Sequence, residues 1–402
     1  MKTAGMIIEY NPLHCGHLYL VEEVRSQLGQ DTAVIGVMSG DFVQRGDFAI
    51  VRRQARAKAA VESGVDLVLE LPLPWATGSA ERFADGGIRI LEAAGVVDHL
   101  AFGSECGDAA ALRRIAAVLC SDEFSQVLKE ELAEGVSFAS ARQRAVERLT
   151  DSETAAVLEH PNNILGVEYC KSLIRNQSRI QPMTVRRKGT SYHGTELVEE
   201  IPSATLLREL LRKDERVRAL EQMAPAMRAA YEEEERAGRA PVLLKTCERA
   251  ILARLRSMSE EEFAALDEGR EGLYHRMYEA SRTAASLEEI LDEAKTKRYA
   301  YARLRRMVLW AWLGMSPADC PAVIPYIRVL AANETGRALL GRMRKSASVP
   351  VVTKPQHVRR LGPEAQTLFS LEARAADLYA LAYPELSAAV GGSLWREGPV
   401  IR

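Results

Sequence analysis

The amino-acid sequence predicts an α/β fold, with a parallel sheet in the first half of the chain and a mainly α-helical second half. Through the first half, short apolar segments alternate with segments of helical periodicity, which is typical of βαβ units. After about residue 205 the chain consists mostly of amphipathic helices rich in Ala, Leu, Arg and Glu. Since 402 residues exceed one ordinary domain, we expect two domains, residues 1–205 and 206–402.

Each predicted element has its own pattern. Apolar, strand-length segments predict strands over residues 5–8, 33–38, 65–71 and 99–102. The helices between them cover residues 18–28, 51–63 and 80–94, and a glycine follows each. In the second half, helices are predicted over residues 246–258, 271–282 and 298–313. Right-handed crossovers would bring the loops after the strands to one sheet edge, where Rossmann-like proteins bind ligands.

Composition excludes several classes of protein. The formal net charge is -2, so any nucleic-acid surface must be a local basic patch. The six cysteines show no C-x-x-C spacing, which disfavours both a zinc site and a disulfide framework. No apolar segment approaches the ~20 residues that a membrane helix needs. We therefore expect a cytoplasmic protein, away from membranes, and we infer no protein partner.

The loop after the first strand carries the strongest chemical signal, Glu9-Tyr10-Asn11-Pro12-Leu13-His14-Cys15-Gly16-His17. Pro12 fixes a turn, and Gly16 removes a side chain where a ligand must come close. The N-terminus of the next helix offers N–H groups and a positive dipole to phosphate. Two histidines three residues apart can stabilise the charge that builds at phosphorus. The alternatives are two histidines of a polar loop, or a metal-binding pair.

This His-x-Gly-His pattern resembles the nucleotidyltransferase superfamily that contains class I aminoacyl-tRNA synthetases and pantetheine-phosphate adenylyltransferase. Their second signature binds the triphosphate from a later loop. A lysine-rich synthetase loop is missing here, whereas residues 201–208 are similar to the I-S-S-T-x-x-R motif of the small adenylyltransferases, with a departure at Pro202. Ser203 can cap the next helix and bind phosphate, and Arg208 supplies a forked cation. The alternative is a helix N-cap with an incidental arginine.

A closer resemblance covers nearly the whole chain. It rests on ordered strings, which are Met38-Ser39-Gly40-Asp41-Phe42-Val43-Gln44-Arg45-Gly46, Phe102-Gly103-Ser104-Glu105, Pro161-Asn162-Asn163-Ile164-Leu165-Gly166 and Lys295-Thr296-Lys297-Arg298-Tyr299. With the two motifs above, they resemble the bacterial tRNA(Met) cytidine acetate ligase family. Cys15 departs from the Asn expected in many relatives.

The resemblance implies a nucleotidyltransferase domain in which acetate attacks the α-phosphate of ATP to give acetyl-adenylate and pyrophosphate. The exocyclic amine of the wobble cytidine in elongator tRNA(Met) then attacks the acetyl carbon and releases AMP. Because that amine is a poor nucleophile, the acyl donor must be activated. No covalent enzyme intermediate is required, in keeping with the missing G-x-S-x-G elbow.

The resemblance also assigns site residues. His14 and His17 would act catalytically on the phosphates, and the ATP loop would comprise Ile7, Ile8, Glu9, Tyr10, Asn11, Pro12, Leu13, His14, Cys15, Gly16, His17, Leu18, Tyr19 and Leu20. Ser203, Thr205 and Arg208 would hold the β- and γ-phosphates. Magnesium is the expected counter-ion, although no carboxylate cage for a metal is readable.

Three further residues would complete the nucleotide pocket. Gly103, just past the fourth predicted strand, would let adenosine approach, and Asn163 and Arg187 would line the site. Each has a structural alternative, because Gly103 can serve a strand-end turn, Asn163 a helix cap and Arg187 a solvated loop.

A basic segment with tyrosines is the predicted tRNA-binding region. Basic side chains neutralise phosphates, and aromatic rings stack unpaired bases, as an anticodon loop requires. The alternative is the cationic face of an amphipathic helix. Arg45, Arg52 and Arg53 are interpreted as surface cations that could also contact tRNA. The predicted tRNA-binding residues are Lys295, Lys297, Arg298, Tyr299, Arg303, Arg305 and Arg306.

Two other functions remain open at this point. One is an adenylyltransferase that acts on a small phosphorylated metabolite, against which the long helical second half argues. The other is a non-enzymatic RNA-binding protein that responds to ATP, which histidines poised on phosphates disfavour.

Overall fold

The computed structural model describes residues 1–187 and 203–402. In the described ranges, the strands in chain order are β1 (Thr3–Ile8), β2 (Ala33–Ser39), β3 (Phe42–Val43), β4 (Asp47–Phe48), β5 (Leu67–Leu71), β6 (His99–Ser104), β7 (Gln181–Arg186), β8 (Ile327–Ala332), β9 (Val351–Val352) and β10 (Val400–Ile401).

Helices account for most of the remainder. Those before residue 188 are α1 (Cys15–Leu28), α2 (Arg53–Glu62), α3 (Leu73–Ala76), α4 (Ala80–Ala94), α5 (Ala109–Leu119), α6 (Asp122–Ala133), α7 (Phe138–Leu149), α8 (Ser152–Ala156) and α9 (Pro161–Arg175). Those after residue 202 are α10 (Ala204–Arg212), α11 (Arg216–Glu221), α12 (Pro225–Arg236), α13 (Glu248–Ser257), α14 (Glu260–Ala264), α15 (Leu273–Thr283), α16 (Leu287–Ala294), α17 (Tyr301–Leu313), α18 (Glu334–Ser346), α19 (Pro363–Ala380) and α20 (Ser393–Arg396). None of these helices has both the length and the apolar character needed to cross a bilayer.

The central sheet has a switch point beside β1. Its strand order is β10-β8-β5-β2-β1-β6-β7, and β9 also pairs with β8. Neighbouring strands run parallel, except that β5 and β8 are antiparallel. The chain passes from β1 to β2 and β5 on one side, and then to β6 on the other. Ligands of open α/β sheets bind at such a point, beyond the carboxyl ends of the strands.

Apolar layers cover both faces of the sheet, as a parallel sheet requires. In β2, Ile35 and Val37 join one core with residues of α4 and α9, whereas Val34 and Met38 join another with residues of α1 and α2. A further core lies among α13, α15, α16 and α17. The aromatic rings of Phe42 and Phe48, in the β3–β4 hairpin, belong to this helical core. The hairpin therefore connects the sheet edge to the second half.

The predicted parallel sheet is confirmed, and its elements differ from the prediction mainly at their ends. The helix predicted over 80–94 has these bounds, since Ser79 caps its start and Gly95 ends it in the left-handed conformation. The helix predicted over 18–28 begins earlier, at Cys15, because His14 caps it. The strand predicted over 99–102 continues to Ser104, so Gly103 lies inside β6 rather than past it.

The sheet also receives strands from the second half of the chain. Residues of β8 pair with β5, and β8 in turn pairs with β9 and β10. Arg328 of β8 contacts Glu70 of β5, and the same carboxylate binds Arg53, which also pairs with Asp41. The interpretation of Arg53 as a surface cation is wrong, because its side chain is buried in this network. The division into two domains at residue 205 stays a prediction. Strands from both sides of this position belong to the central sheet.

Candidate active site

A cleft opens at the switch point, where β1 and β6 end. Part of its lining is apolar and comes from α4, β6 and α9, with Phe83, Phe102, Ile164, Leu165 and Tyr169. The polar part contains Glu9, Asn11, His17, Gln44, Arg45, Asn162, Arg187 and Arg208. Apolar walls with a few polar groups are the usual composition of a small-molecule site.

The predicted ATP loop supplies the floor of this cleft. Its lining members are Ile7, Ile8, Glu9, Tyr10, Asn11, His17 and Leu20. The other predicted loop residues do not line the cleft, and these are Pro12, Leu13, His14, Cys15, Gly16, Leu18 and Tyr19.

The start of α1 is fixed by two reciprocal hydrogen bonds between the histidines and the backbone. The N–H of Gly16 donates to Nδ1 of His14 at 3.1 Å, and the N–H of His14 donates to Nδ1 of His17 at 3.2 Å. The two rings pack with centroids 3.8 Å apart. This arrangement is a capping box built from imidazoles. It fixes His17 at the N-terminus of α1, where anions bind favourably.

The same bonds determine which nitrogen of each ring is a donor. Since Nδ1 accepts a backbone N–H in both His14 and His17, the neutral rings carry their proton on Nε2. Burial and, to a smaller extent, the positive charge of the nearby Arg187 lower the pKa of His14 to about 4. Burial also holds the pKa of His17 well below its usual value, with His14 and Arg187 adding to the effect. Both imidazoles are therefore neutral Nε2–H donors near pH 7.

The second predicted motif meets the ATP loop directly. Arg208 of α10 donates from Nη1 to the carbonyl oxygen of Asn11 at 2.7 Å, and from Nη2 to Oγ1 of Thr205 at 3.2 Å. Ser203 caps α10 by accepting the N–H of Leu206, as predicted. Ile201 and Pro202 lie outside the described residues.

Several buried donors at this junction have no hydrogen-bond partner among the described residues. They are the hydroxyl of Tyr10, Nδ2 of Asn11 and Nε of Arg208, and all of these residues line the cleft. An unpaired buried donor costs about 1–3 kcal/mol, so acceptor oxygens beside these atoms would stabilise the junction. A triphosphate has this chemistry.

Gly103 and Arg187 face one another at the side of the cleft. A Cβ on Gly103 would lie 3.4 Å from Cγ of Arg187. The backbone N–H of Arg187 donates to the carbonyl oxygen of Ser104. Arg187 is exposed, lines the cleft and acts electrostatically on both histidines. Both residues line the cleft, and their role in nucleotide binding stays a prediction.

Asn163 holds the loop after β6 and does not line the cleft. Its Oδ1 accepts the N–H groups of Glu105 and Cys106, and its Nδ2 donates to the carbonyl oxygen of Val157. The carboxylate of Glu105 in turn accepts bonds from Asn162 and from the N–H of Asn163 at the start of α9. Asn162, which we did not select from the sequence, is the member of the pair that lines the cleft.

Two further residues that we did not select, Gln44 and Arg56, form hydrogen bonds with Glu9 at the cleft. The backbone N–H of Gln44 donates to Oε1 of Glu9 at 2.7 Å. The buried Arg56 donates to carbonyl oxygens of Glu9, Ser39 and Gly40. Gln44 belongs to an ordered family string, whereas Arg56 has no sequence signal beyond a place in a helix. The apolar wall also lacked a signal, since its residues follow ordinary core periodicity.

The basic segment around α17 is only partly available to a partner. Lys297, Arg298 and Arg305 are exposed, although Nε of Arg298 lies 4.0 Å from a carboxylate oxygen of Glu271. Tyr299 is buried, and its hydroxyl donates to the carbonyl oxygen of Glu271, so its ring does not fit the predicted stacking role.

The other members of that segment have internal partners. Arg303 pairs with Glu268 and Glu271, and Arg306, which is buried, pairs with Glu268. Lys295 is half-buried and donates to the carbonyl oxygen of Thr296. For these residues the amphipathic-helix alternative describes the contacts better than free phosphate binding.

Among the described residues no group of His, Cys, Asp and Glu is arranged to hold a metal ion. Glu9 is the single carboxylate among the described residues that line the cleft. A Mg²⁺ ion would fit here only by keeping several waters and binding phosphate oxygens of a nucleotide, which is its usual habit.

Comparison with known proteins shows the family. Residues 1–391 match the model of the HIGH Nucleotidyl Transferase family. The tRNA(Met) cytidine acetate ligase of Caldicellulosiruptor saccharolyticus is 39% identical over 393 residues, covering 96% of this chain and 95% of that protein. The ligase of the same name from Acetivibrio thermocellus is 36% identical, with 95% of each chain covered.

A solved structure extends the likeness to the fold. Thermotoga maritima TmcAL, bound with alpha-thio ATP, has a TM-score of 0.92 and 33% identity, covering 100% of this chain and 99% of that one. The chain belongs to the tRNA(Met) cytidine acetate ligase family of HIGH nucleotidyl transferases.

Proposed function

We propose that this protein is an ATP-dependent ligase that acetylates the wobble cytidine of elongator tRNA(Met). Acetate attacks the α-phosphate of ATP, which gives acetyl-adenylate and releases pyrophosphate. The exocyclic N4 amine of the cytidine then attacks the acetyl carbon, which forms N4-acetylcytidine and releases AMP. The relatives' names and the nucleotide analogue in the neighbouring structure support this proposal. With ATP and tRNA as substrates, the reaction belongs in the cytoplasm.

The observation that carries the proposal is the junction between the two motifs. Arg208 bonds the carbonyl oxygen of Asn11 while its Nε, the Tyr10 hydroxyl and Nδ2 of Asn11 stay unpaired among the described residues. Arg208 also lines the cleft, and its guanidinium group suits the oxygens of the β- and γ-phosphates. Displacement at phosphorus is catalysed mainly by positioning and by stabilisation of charge, which is what such donors provide.

Within this reaction His17 and Arg187 have the clearest roles. The Nε2–H of His17 donates to phosphate from the N-terminus of α1, and Arg187 adds a positive charge at the same side of the cleft. His14 caps the helix and packs on the ring of His17, so it orients its neighbour. Mg²⁺ neutralises phosphate charge when it is bound with ATP.

The acceptor is inferred to be a large molecule. Helices α13–α17 form their own core and present exposed cations next to the β3–β4 hairpin. A small-metabolite adenylyltransferase has no use for this surface. We propose Lys297, Arg298 and Arg305 as its tRNA contacts.

Exchange of labelled pyrophosphate into ATP tests the function. The proposal predicts exchange that requires acetate and no phosphorylated metabolite, and acetylation of tRNA(Met) when that RNA is added. Exchange only with a phosphorylated metabolite would favour the adenylyltransferase, and RNA binding without any exchange would favour the non-enzymatic alternative.

A further inference from the structure

The second half of the proposed reaction needs a group that removes a proton. When the N4 amine of cytidine attacks the acetyl carbon, the nitrogen must lose one of its two hydrogens for a neutral amide to form. General bases typically contribute about 10²–10⁴-fold to such steps. A basic group in the cleft with a free lone pair would therefore accelerate the transfer.

The histidines do not meet this requirement. Nδ1 of His14 and Nδ1 of His17 each accept a backbone N–H, and Nε2 of each neutral ring carries the proton. Neither ring has a vacant basic nitrogen. The histidines are thus suited to donate to phosphate and not to accept a proton.

The other titratable groups that line the cleft are also unsuitable. Burial raises the pKa of the hydroxyls of Tyr10 and Tyr169, so both are neutral and weak acceptors. Arg45, Arg187 and Arg208 are permanently charged donors. Glu9 is the remaining group, and it is the single carboxylate among the described residues that line the cleft.

Glu9 is held so that one carboxylate oxygen stays available. It directly follows Ile8, the last residue of β1, at the switch point. The N–H of Gln44 donates to Oε1 at 2.7 Å, and Arg56 fixes the backbone carbonyl at 2.5 Å. Oε2 has no hydrogen-bond partner in the described part of the chain, and it is not among the fully buried unpaired atoms.

The surroundings of Glu9 act on the pKa of its carboxyl group in both directions. Burial raises the pKa of the carboxyl above its usual value, while the Gln44 N–H and the guanidinium groups of Arg208, Arg56 and Arg45 oppose that shift. Tyr169 also interacts electrostatically with it. A carboxylate with a raised pKa binds a proton more readily, and a base is most effective when its pKa approaches the operating pH.

We propose that Glu9 is the general base of acetyl transfer. The N4 nitrogen forms its bond to the acetyl carbon, the bond from that carbon to the adenylate oxygen breaks, and AMP leaves with the electron pair. Oε2 of Glu9 takes the N4 proton and returns it to solvent before the next cycle. This role rests on the proposed function and assigns to Glu9 a step that ATP binding does not require.

The test separates acetyl transfer from adenylation. Purified full-length protein receives chemically prepared acetyl-adenylate and an excess of enzyme over tRNA(Met), and acetylation is followed in single turnovers from pH 5.5 to 8.5. The variants are Glu9→Gln, Glu9→Asp and Glu22→Gln. Glu9→Gln keeps an oxygen that accepts the Gln44 N–H. Glu22 is an exposed carboxyl on α1 without a partner among the described residues, so its variant is the matched control.

We expect Glu9→Gln to lower the transfer rate by about 10²–10⁴-fold and to abolish the rise of the wild-type rate with pH. Glu9→Asp should recover part of the rate and the pH dependence, and Glu22→Gln should match the wild type. Glu9→Gln should also lose some acetate-dependent pyrophosphate exchange, but this loss should be at least tenfold smaller than its loss of transfer rate.

Two results would overturn the assignment. One is transfer by Glu9→Gln within threefold of the wild type with its pH profile retained, and the other is an equal loss of exchange and transfer, which would indicate a role in ATP binding. Failure of the proposed function looks different, since the wild-type protein itself would neither exchange pyrophosphate nor acetylate tRNA. That result would remove the role of Glu9 as well.

Discussion

Arg208 and Asn11 are 197 positions apart in sequence, yet Nη1 of the arginine donates to the asparagine carbonyl oxygen at 2.7 Å. This bond joins the ATP loop after β1 to the N-terminal turns of α10. Burial lowers the pKa of the Arg208 guanidinium, whereas Asp47 and Glu9 favour its charged form. The cation is held partly desolvated at the place where the triphosphate is proposed to bind.

Replacement of Arg208 by Lys keeps the charge and removes the fork, so it tests whether geometry matters. A lysine cannot reach Asn11, Thr205 and a phosphate at once. Hydrogen bonds of charged groups contribute about 1.5–3 kcal/mol, so we expect kcat/KM for ATP in pyrophosphate exchange to fall about tenfold or more. Arg218→Lys, at an exposed position on α11, is the control. An unchanged kcat/KM in Arg208→Lys would contradict the bidentate role.

His17→Ala removes the imidazole donor from the cleft. Loss of one donor to a charge that develops in the transition state typically costs about 10²–10³ in rate, and we expect a loss of that size in pyrophosphate exchange. The exposed His275, which pairs with Glu260, provides the control His275→Ala. Because the pKa values of His14 and His17 are lowered, the wild-type rate should show no imidazole titration between pH 6 and 8. A titration near pH 6.5 that disappears in His17→Ala would refute the neutral donor.

The first half of the fold was predictable because its signals are local. The helix Ala80–Ala94 has a serine cap before it and a glycine after it, and β1 and β2 are apolar segments of strand length. His14, His17, Ser203 and Arg208 belong to motifs whose spacing is visible in one stretch of chain. The contact between the two motifs, which Arg208 makes with Asn11, is not visible in either stretch alone. It is expected only when both motifs are considered together.

What escaped prediction depends on pairs that are distant in sequence. β8 joins the sheet through β5, and Arg328 finds Glu70 258 residues away. In the sequence, Tyr299 and Arg306 resemble residues that bind RNA. In the structure, Tyr299 donates to the carbonyl oxygen of Glu271 and Arg306 pairs with Glu268. A basic side chain in a helix has the same local pattern whether its partner is an internal carboxylate or a phosphate of another molecule.

Charge reversal at the exposed cations tests the proposed tRNA surface. The double variant Arg298→Glu and Arg305→Glu should bind tRNA(Met) more weakly. The slope of log affinity against log salt should fall by about 0.7–0.9 for each phosphate that the protein no longer neutralises. Exchange of pyrophosphate without tRNA should persist, because these residues do not line the cleft. Arg344→Glu, on the exposed face of α18, is the control, and equal loss of affinity in both proteins would argue against a specific surface.

Gly46 ties the hairpin at the cleft to α17, and its replacement should destabilise the protein. Its φ is +73°, and a Cβ there would lie 2.4 Å from the backbone nitrogen of Arg306. A left-handed conformation costs an L residue about 1–2 kcal/mol, and forced packing adds about 1–3 kcal/mol. Gly46→Ala should therefore lower Tm clearly. Gly341→Ala, in α18 with nothing within 4 Å of the new Cβ, should leave Tm unchanged or raise it. A Gly46→Ala protein as stable as the wild type would show that α17 can move away.

Glu372 should make the protein less stable as pH rises, which is opposite to the usual effect of a carboxyl group. It is buried, and its oxygens accept the N–H of Leu73 and the hydroxyl of Tyr326. Burial and the neighbouring Glu70 raise its pKa to about 7, against the opposing charges of Arg328 and Arg53. Between the unfolded value near 4.5 and pH 7, the folded protein holds a proton that the unfolded chain releases. Stability from this group is therefore present at low pH and is lost as pH rises through that window.

Glu372→Gln tests this linkage, because glutamine keeps the size of the side chain and stays neutral at every pH. The Tm of the variant minus that of the wild type should be larger at pH 8 than at pH 5, with a difference in unfolding free energy on the order of 1–3 kcal/mol. Glu334→Gln, a carboxyl at the start of α18 without an ion pair among the described residues, is the control and should follow the wild type. A Tm difference that is constant with pH would mean that Glu372 is already ionised in the folded protein at pH 5, and that the cations of Arg328 and Arg53 outweigh its burial.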